Sequence, residues 1–219
     1  MLTKPIYIFV IGIPAAGKST ICAEIMHTLY GFGYSTCYIS DGQVTEDLIS
    51  NDVDRKVHTV EGGVIVFGED TRRLISSLLS DRIRNTRQFD YVIVEIAVHS
   101  NESLLNPVAS ADKGKKVLIV IKSTLNDCLK RNRERALAHP DQFNSYVPES
   151  FTHKCFDALT EARLAGGSFD SVHYIKNSEV ELPDLISTVR VVALNIARSH
   201  ASVCDANIRL LDDSNICEQ

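Results

Sequence analysis

The amino-acid sequence predicts an α/β fold: a three-layer α/β/α domain built on a five-stranded parallel sheet. Three observations predict it. Apolar runs of strand length alternate along the chain with longer segments of helical periodicity, the pattern of a parallel sheet covered on both faces. Those runs are apolar throughout rather than at every second residue, so each strand is expected to be buried on both sides. Between the first run and the first helical segment stands Gly12-Ile13-Pro14-Ala15-Ala16-Gly17-Lys18-Ser19, with the spacing G-x-x-x-x-G-K-[ST] of a phosphate-cradling loop.

The elements follow in order. Ile6–Ile11 is the first strand, and the segment from Lys18 to Leu29 is the amphipathic helix that leaves the loop. Gly31-Phe32-Gly33 ends that helix, and Tyr34–Ile39 is the second strand, closed by Ser40-Asp41-Gly42 as a tight turn. A mixed, mostly helical stretch follows, including Glu69–Leu79 with apolar residues at helical spacing. Phe89–Val98, Lys116–Ile121 and Ser171–Ile175 are the third, fourth and fifth strands. Leu182–Arg198 is the final helix, with Pro183 at a tolerated early position. The expected organisation is one domain over residues 1–198, with a lid at about 124–148, and a C-terminal tail over 199–219.

Composition narrows the class. A chain of 219 residues supports a substantial single core. The net charge of −5 argues against a strongly non-specific nucleic-acid binder, although a local basic patch escapes that test. No run of eighteen apolar residues occurs, and Met1–Pro5 leads directly into the first strand with no leader pattern, so the expectation is a cytoplasmic protein without a membrane span. The six cysteines are scattered without C-x-x-C spacing, which points to reduced thiols and away from zinc.

In parallel α/β sheets ligands bind at the carboxyl ends of the strands, so the residues there are the site candidates. After the first strand, Gly12, Ala15, Ala16, Gly17, Lys18, Ser19 and Thr20 form the nucleotide set: backbone N–H groups and the helix N-terminus face the phosphates. Lys18 reaches the β- and γ-phosphates and Ser19 holds Mg2+, with Thr20 a spare hydroxyl. Asp41 follows the second strand, where a carboxylate takes the proton of an acceptor hydroxyl; an Asp-Gly turn is the bland alternative. Glu95 is a charge inside an apolar strand, costly unless it is paired or serves a metal, and so is a candidate for Mg2+. A P-loop enzyme usually carries Asp there. His99 and Ser100 come next, facing either an acceptor or only solvent. Arg72 and Arg73, between the second and third strands, are candidates for an anionic acceptor. Arg131 and Arg135, four apart, project from one helix face, where they can stabilise charge on the γ-phosphoryl oxygens. Residues 138–148 are polar and contain proline, and are expected to form a flap that closes over the site. Asn177, after the fifth strand, is a candidate for the nucleotide base. No N-K-x-D pattern occurs, which favours ATP over GTP.

These residues resemble the small P-loop kinases that group with phage-type polynucleotide 5′-hydroxyl kinases, adenylylsulfate kinases and zeta-toxin-like phosphotransferases. The resemblance spans roughly residues 5–180. Gly12–Thr20 is similar to their G-x-P-x-x-G-K-S-T loop, and Lys130-Arg131-Asn132-Arg133-Glu134-Arg135 to the K-R-N-x-x-R lid helix of the polynucleotide kinases. Val147-Pro148 resembles the segment that follows that lid. The resemblance implies a P-loop NTPase fold of the nucleoside-monophosphate-kinase type, lid arginines at Arg131 and Arg135, and an acceptor-activating Asp41. Two departures stand out: Gly42-Gln43-Val44 replaces the second acid and nearby arginine of the polynucleotide kinases, and the Asp-Asn-Val-Arg of the adenylylsulfate kinases is missing.

The leading expectation is an ATP- and Mg2+-dependent kinase acting on a hydroxyl of a small-molecule or nucleotide-like acceptor. A nucleic-acid 5′-hydroxyl is the alternative acceptor, and an ATP-binding regulatory protein with little turnover is the alternative class. Oligomeric state is not legible.

Overall fold

The computed structural model describes residues 4–51, 59–61, 64–66, 68–111, 114–138, 147–161, 168–178 and 180–214. Five parallel strands form the central sheet: β1 (Ile6–Gly12), β2 (Thr36–Ser40), β5 (Tyr91–Ala97), β6 (Lys115–Lys122) and β7 (Ser171–Lys176), in the order β2-β5-β1-β6-β7. All five strands expected from the sequence are present, within two residues at each end.

Side chains alternate across the sheet and divide the core in two. Ile6, Ile8 and Val10 of β1 face α1 (Lys18–Gly31) and α7 (Leu182–Ser214), packing with Ile21, Ile25, Leu29, Leu185 and Val189. Tyr7, Phe9 and Ile11 face the other way, toward α2 (Asp41–Ser50), α3 (Glu69–Arg84) and α4 (Asn101–Ser110), packing with Val44, Leu79, Ile83, Leu104 and Val108. Helices α5 (Leu125–Ala138) and α6 (Glu149–Glu161) follow β6. Cys128 and Cys155 from these two helices, and Cys22 from α1, are free thiols buried in the first core.

Three local features differ from the sequence reading. Asp41-Gly42 makes no tight turn, because the chain passes from β2 straight into α2. Ser40 is the N-cap of α2, accepting a 3.0 Å hydrogen bond from the Gln43 N–H. The stretch before α3 includes a two-stranded antiparallel hairpin, β3 (Thr59–Glu61) with β4 (Val64–Val66). Finally, α7 continues past Arg198 to Ser214 as one helix of 33 residues. Most of the expected flap, residues 139–146, lies outside the described residues.

Candidate active site

The phosphate loop owes its shape to two left-handed residues. Ala15 has φ 60 and Gly17 has φ 89, and Gly17 is the N-cap of α1. Left-handed backbone suits glycine and strains alanine, and such strain gathers at functional loops. Gly12 is closely packed as well, since a Cβ there would stand 3.3 Å from both Ala16 Cβ and Ile121 Cβ. Lys18 is buried, with Nζ donating to the Ile13 carbonyl at 3.2 Å, so its charge lies across the loop. Thr20 is exposed on the first turn of α1.

Asn177 closes the loop from the far side of the sheet. Its Nδ2 donates to the Ala16 carbonyl at 2.7 Å, and a Cβ on Gly17 would stand 2.4 Å from that nitrogen. The Asn177 side chain is thus committed to the loop backbone rather than turned to an open base pocket.

Two carboxylates stand at the carboxyl ends of β2 and β5, and Asp41 lies within reach of the Lys18 charge. Glu95 is buried, and it accepts from the Ser19 hydroxyl at 3.0 Å through Oε1 and from the Tyr38 phenol through Oε2. Burial, then the Glu95 charge, pushes the Tyr38 phenol well above its ordinary value. Asp41 accepts the Ala97 N–H at 2.6 Å through Oδ2. Burial raises its pKa above the ordinary carboxylate value, with Lys18 and the Ala97 N–H pulling in the opposite direction. A raised value suits a group that must accept a proton and later release it.

Around Asp41 three elements converge. Arg72 of α3 stacks on the Phe151 ring of α6, its guanidinium carbon 4.2 Å from the ring centroid. His99, after β5, leans on the same ring with centroids 5.7 Å apart. Burial lowers the His99 value, so the imidazole is neutral near pH 7. The Cys155 thiol feels the charges of Lys18, Asp41 and Arg72, and burial pushes it up to about 12, which keeps it neutral. Lys154 pairs with Glu69 at 3.5 Å at the rim. Arg73 does not join this group. It is exposed, pairs with Asp70 at 3.5 Å, and lines a separate groove between α3 and α4 with Arg84 and Arg87.

Arg131 and Arg135, the two arginines expected to face the phosphates, lie on α5. One Arg131 Nη donates to the Asn177 carbonyl at 3.0 Å, and its Nη1 is buried without a hydrogen bond among the described residues. Arg135 Nη2 donates to Asn132 Oδ1 at 3.1 Å, and its charge is within reach of Glu95. Asn132 is fully buried and grips both polar backbone atoms of Val147, at 2.6 and 3.0 Å, fastening α5 to the start of α6.

Ser19 and Glu95 supply hard oxygens of the kind Mg2+ prefers, one hydroxyl and one carboxylate beside the phosphate loop. Among the described residues no group of three or more His, Cys, Asp or Glu forms a metal cage. The donor set therefore fits Mg2+ that takes most of its ligands from nucleotide and water. Among the described residues, no helix is long and apolar enough to cross a membrane.

Tyr38, Phe151 and Cys155 were not singled out in the sequence, and Asn132 entered only as a position of the K-R-N-x-x-R pattern. Their signals were weak: each lies within a strand or helix where an aromatic, polar or small residue reads as ordinary filling.

The fold has counterparts among solved structures. It is the P-loop NTPase fold in the three-layer form of small kinases. A gluconokinase from Sinorhizobium meliloti 1021 is similar at TM-score 0.57 and 14% identity, over 90% of this chain and 96% of that one. Chaetomium thermophilum Kti12 in complex with ADP-AlF3 is similar at TM-score 0.60 and 13% identity, over 86% and 97%. A shikimate kinase from Acinetobacter baumannii in complex with shikimate is similar at TM-score 0.51 and 13% identity, over 92% and 95%. No family model and no curated protein sequence matches the chain.

Proposed function

We propose that this protein is an ATP- and Mg2+-dependent phosphotransferase that moves the γ-phosphoryl group of ATP to a hydroxyl of a small-molecule or nucleotide-like acceptor. The observation that carries this reading is Asp41, a carboxylate anchored by the Ala97 N–H at the mouth of the phosphate loop and facing the Lys18 charge. A protein that only senses ATP has no use for a base there. Two structural neighbours are small-molecule kinases by name, and one was solved with shikimate bound.

In this reading the N–H groups of Ala15 to Ser19 and the N-terminus of α1 hold the phosphates. Lys18 leaves the Ile13 carbonyl for the β- and γ-phosphates. Mg2+, when bound beside Ser19 and Glu95, neutralises phosphate charge. Asp41 orients the acceptor hydroxyl and takes its proton as the new oxygen–phosphorus bond forms and the bond to the β–γ bridging oxygen breaks, releasing ADP. The free Nη1 edge of Arg131 and the guanidinium of Arg135 offset charge on the transferring group. Asn177 shapes the loop. Arg72 and His99 line the acceptor side, and Arg72 favours an acceptor with a negative group.

The test is transfer of label from γ-labelled ATP across a panel of sugar acids, nucleosides, amino alcohols and 5′-hydroxyl oligonucleotides, with Asp41→Asn beside the native protein. Asp41-dependent label on one class of hydroxyl supports the reading. Transfer that survives in Asp41→Asn removes Asp41 as the base.

A further inference from the structure

Glu95 stands where P-loop enzymes usually carry the shorter aspartate. One extra methylene adds a rotatable bond, and a metal-facing carboxylate that wanders loses the fixed geometry Mg2+ demands. In this chain both carboxylate oxygens are tied. Ser19 Oγ donates to Oε1 at 3.0 Å, and the Tyr38 hydroxyl donates to Oε2. The register explains the reach. Ser40 of β2 lies opposite Glu95 and Tyr38 lies opposite Ile93, so Tyr38 sits two residues back along β2, on the same face as Glu95. A long phenol from there meets the end of a glutamate.

We propose that Tyr38 is a positioning residue for the divalent cation: its phenol pins Oε2 of Glu95, which holds Oε1 and the Ser19 hydroxyl together as one cation-facing pair. This inference rests on reading Ser19 and Glu95 as the metal residues. The direction of each bond supports it. Because the Ser19 proton is given to Glu95, the Ser19 oxygen keeps lone pairs for a cation. Because the Tyr38 proton occupies Oε2, the carboxylate cannot rotate away from Ser19 without breaking a bond. The Tyr38 ring also walls a groove of about 490 Å3 with Ser19, Ala23, Met26 and Tyr30, while its hydroxyl reaches Glu95. Outer hydrogen-bond partners of this kind are worth roughly ten- to hundred-fold in metal affinity.

The experiment is Mn2+ binding to the ADP complex, followed by electron paramagnetic resonance, with ADP affinity in the absence of metal measured in parallel. Tyr38→Phe keeps the ring and its packing and removes only the hydroxyl. It is expected to weaken Mn2+ binding about tenfold while metal-free ADP affinity is unchanged. In a Glu95→Asp background the shortened carboxylate no longer reaches the phenol, so adding Tyr38→Phe is expected to change Mn2+ affinity less than about twofold. Equal losses from Tyr38→Phe in both backgrounds overturn the proposal. So does Mn2+ affinity unchanged by Tyr38→Phe when Glu95→Gln weakens it, a result that leaves the metal reading of Glu95 standing. Unchanged Mn2+ affinity in Glu95→Gln overturns that reading and the proposal together.

Discussion

At the scale of single residues, the site depends on charges held out of water near one lysine. Asp41 lies within reach of the Lys18 charge, and burial raises its pKa above the ordinary value. A carboxyl group with a folded-state value above its unfolded one binds its proton more tightly when folded. Its contribution to stability is therefore present below the unfolded value and lost as pH rises through the folded one. Asp41→Asn, which removes the charge, is expected to raise the melting temperature at pH 7 and to lose that gain below about pH 4. The same variant should lower phosphoryl transfer by roughly 10²- to 10⁴-fold with ATP affinity kept, read by single-turnover kinetics and nucleotide titration. In the native protein the acid limb of kcat/KM should lie above the ordinary carboxylate range. Gly17→Ala carries a different penalty. Its φ of 89 and the 2.4 Å approach to Asn177 Nδ2 both oppose a side chain, so a loss of about 1–3 kcal/mol and weakened ADP binding are expected from denaturant melts and calorimetry.

At the scale of elements, one buried amide helps fasten α5 to α6, beside the Arg133–Glu149 ion pair. Asn132 bonds to both backbone polar atoms of Val147 and receives Arg135, so it ties the arginine helix to α6, which in turn carries Phe151 and Cys155 toward Asp41. Asn132→Ala leaves the Val147 groups without that partner, at a cost of about 2–3 kcal/mol. The expected signs are a lower melting temperature and a KM for ATP raised more than ADP affinity falls, because Arg135 loses its orientation. Some boundaries at this scale were readable and some were missed. Ser40-x-x-Gln43 is the sequence form of a helix start, yet Asp-Gly drew the reading toward a turn. The extension of α7 beyond Arg198 carries no cap residue to mark it.

At the scale of the whole molecule, β1 is the axis of both half-cores. It is buried along its entire length, with Phe9 at its centre meeting Phe169 edge-on at 5.9 Å. Phe9→Ala is expected to cost about 3–5 kcal/mol, seen as a drop in unfolding midpoint without a change in cooperativity. Nucleotide is expected to act on the whole fold through the loop that β1 presents. At a hundredfold excess over its dissociation constant, MgADP should add about 2.7 kcal/mol, or roughly 5–10 °C in melting temperature. Lys18→Ala should abolish that shift and the turnover with it.

The sequence by itself determined the five parallel strands, the phosphate loop and the places where Asp41, Glu95, Arg131 and Arg135 leave their elements. These features rest on short-range rules: runs of apolar residues, fixed motif spacing and the geometry of a strand end. Only the tertiary structure decided how those residues and their neighbours are paired. It joined Tyr38 to Glu95 across two strands 57 residues apart in the chain, turned Asn177 onto the Ala16 carbonyl, and separated Arg72, stacked on Phe151, from its neighbour Arg73. Such pairings depend on strand register, on which way a helix is rotated, and on what a distant segment brings against it. No local pattern encodes them, because each partner alone is an ordinary residue for its element.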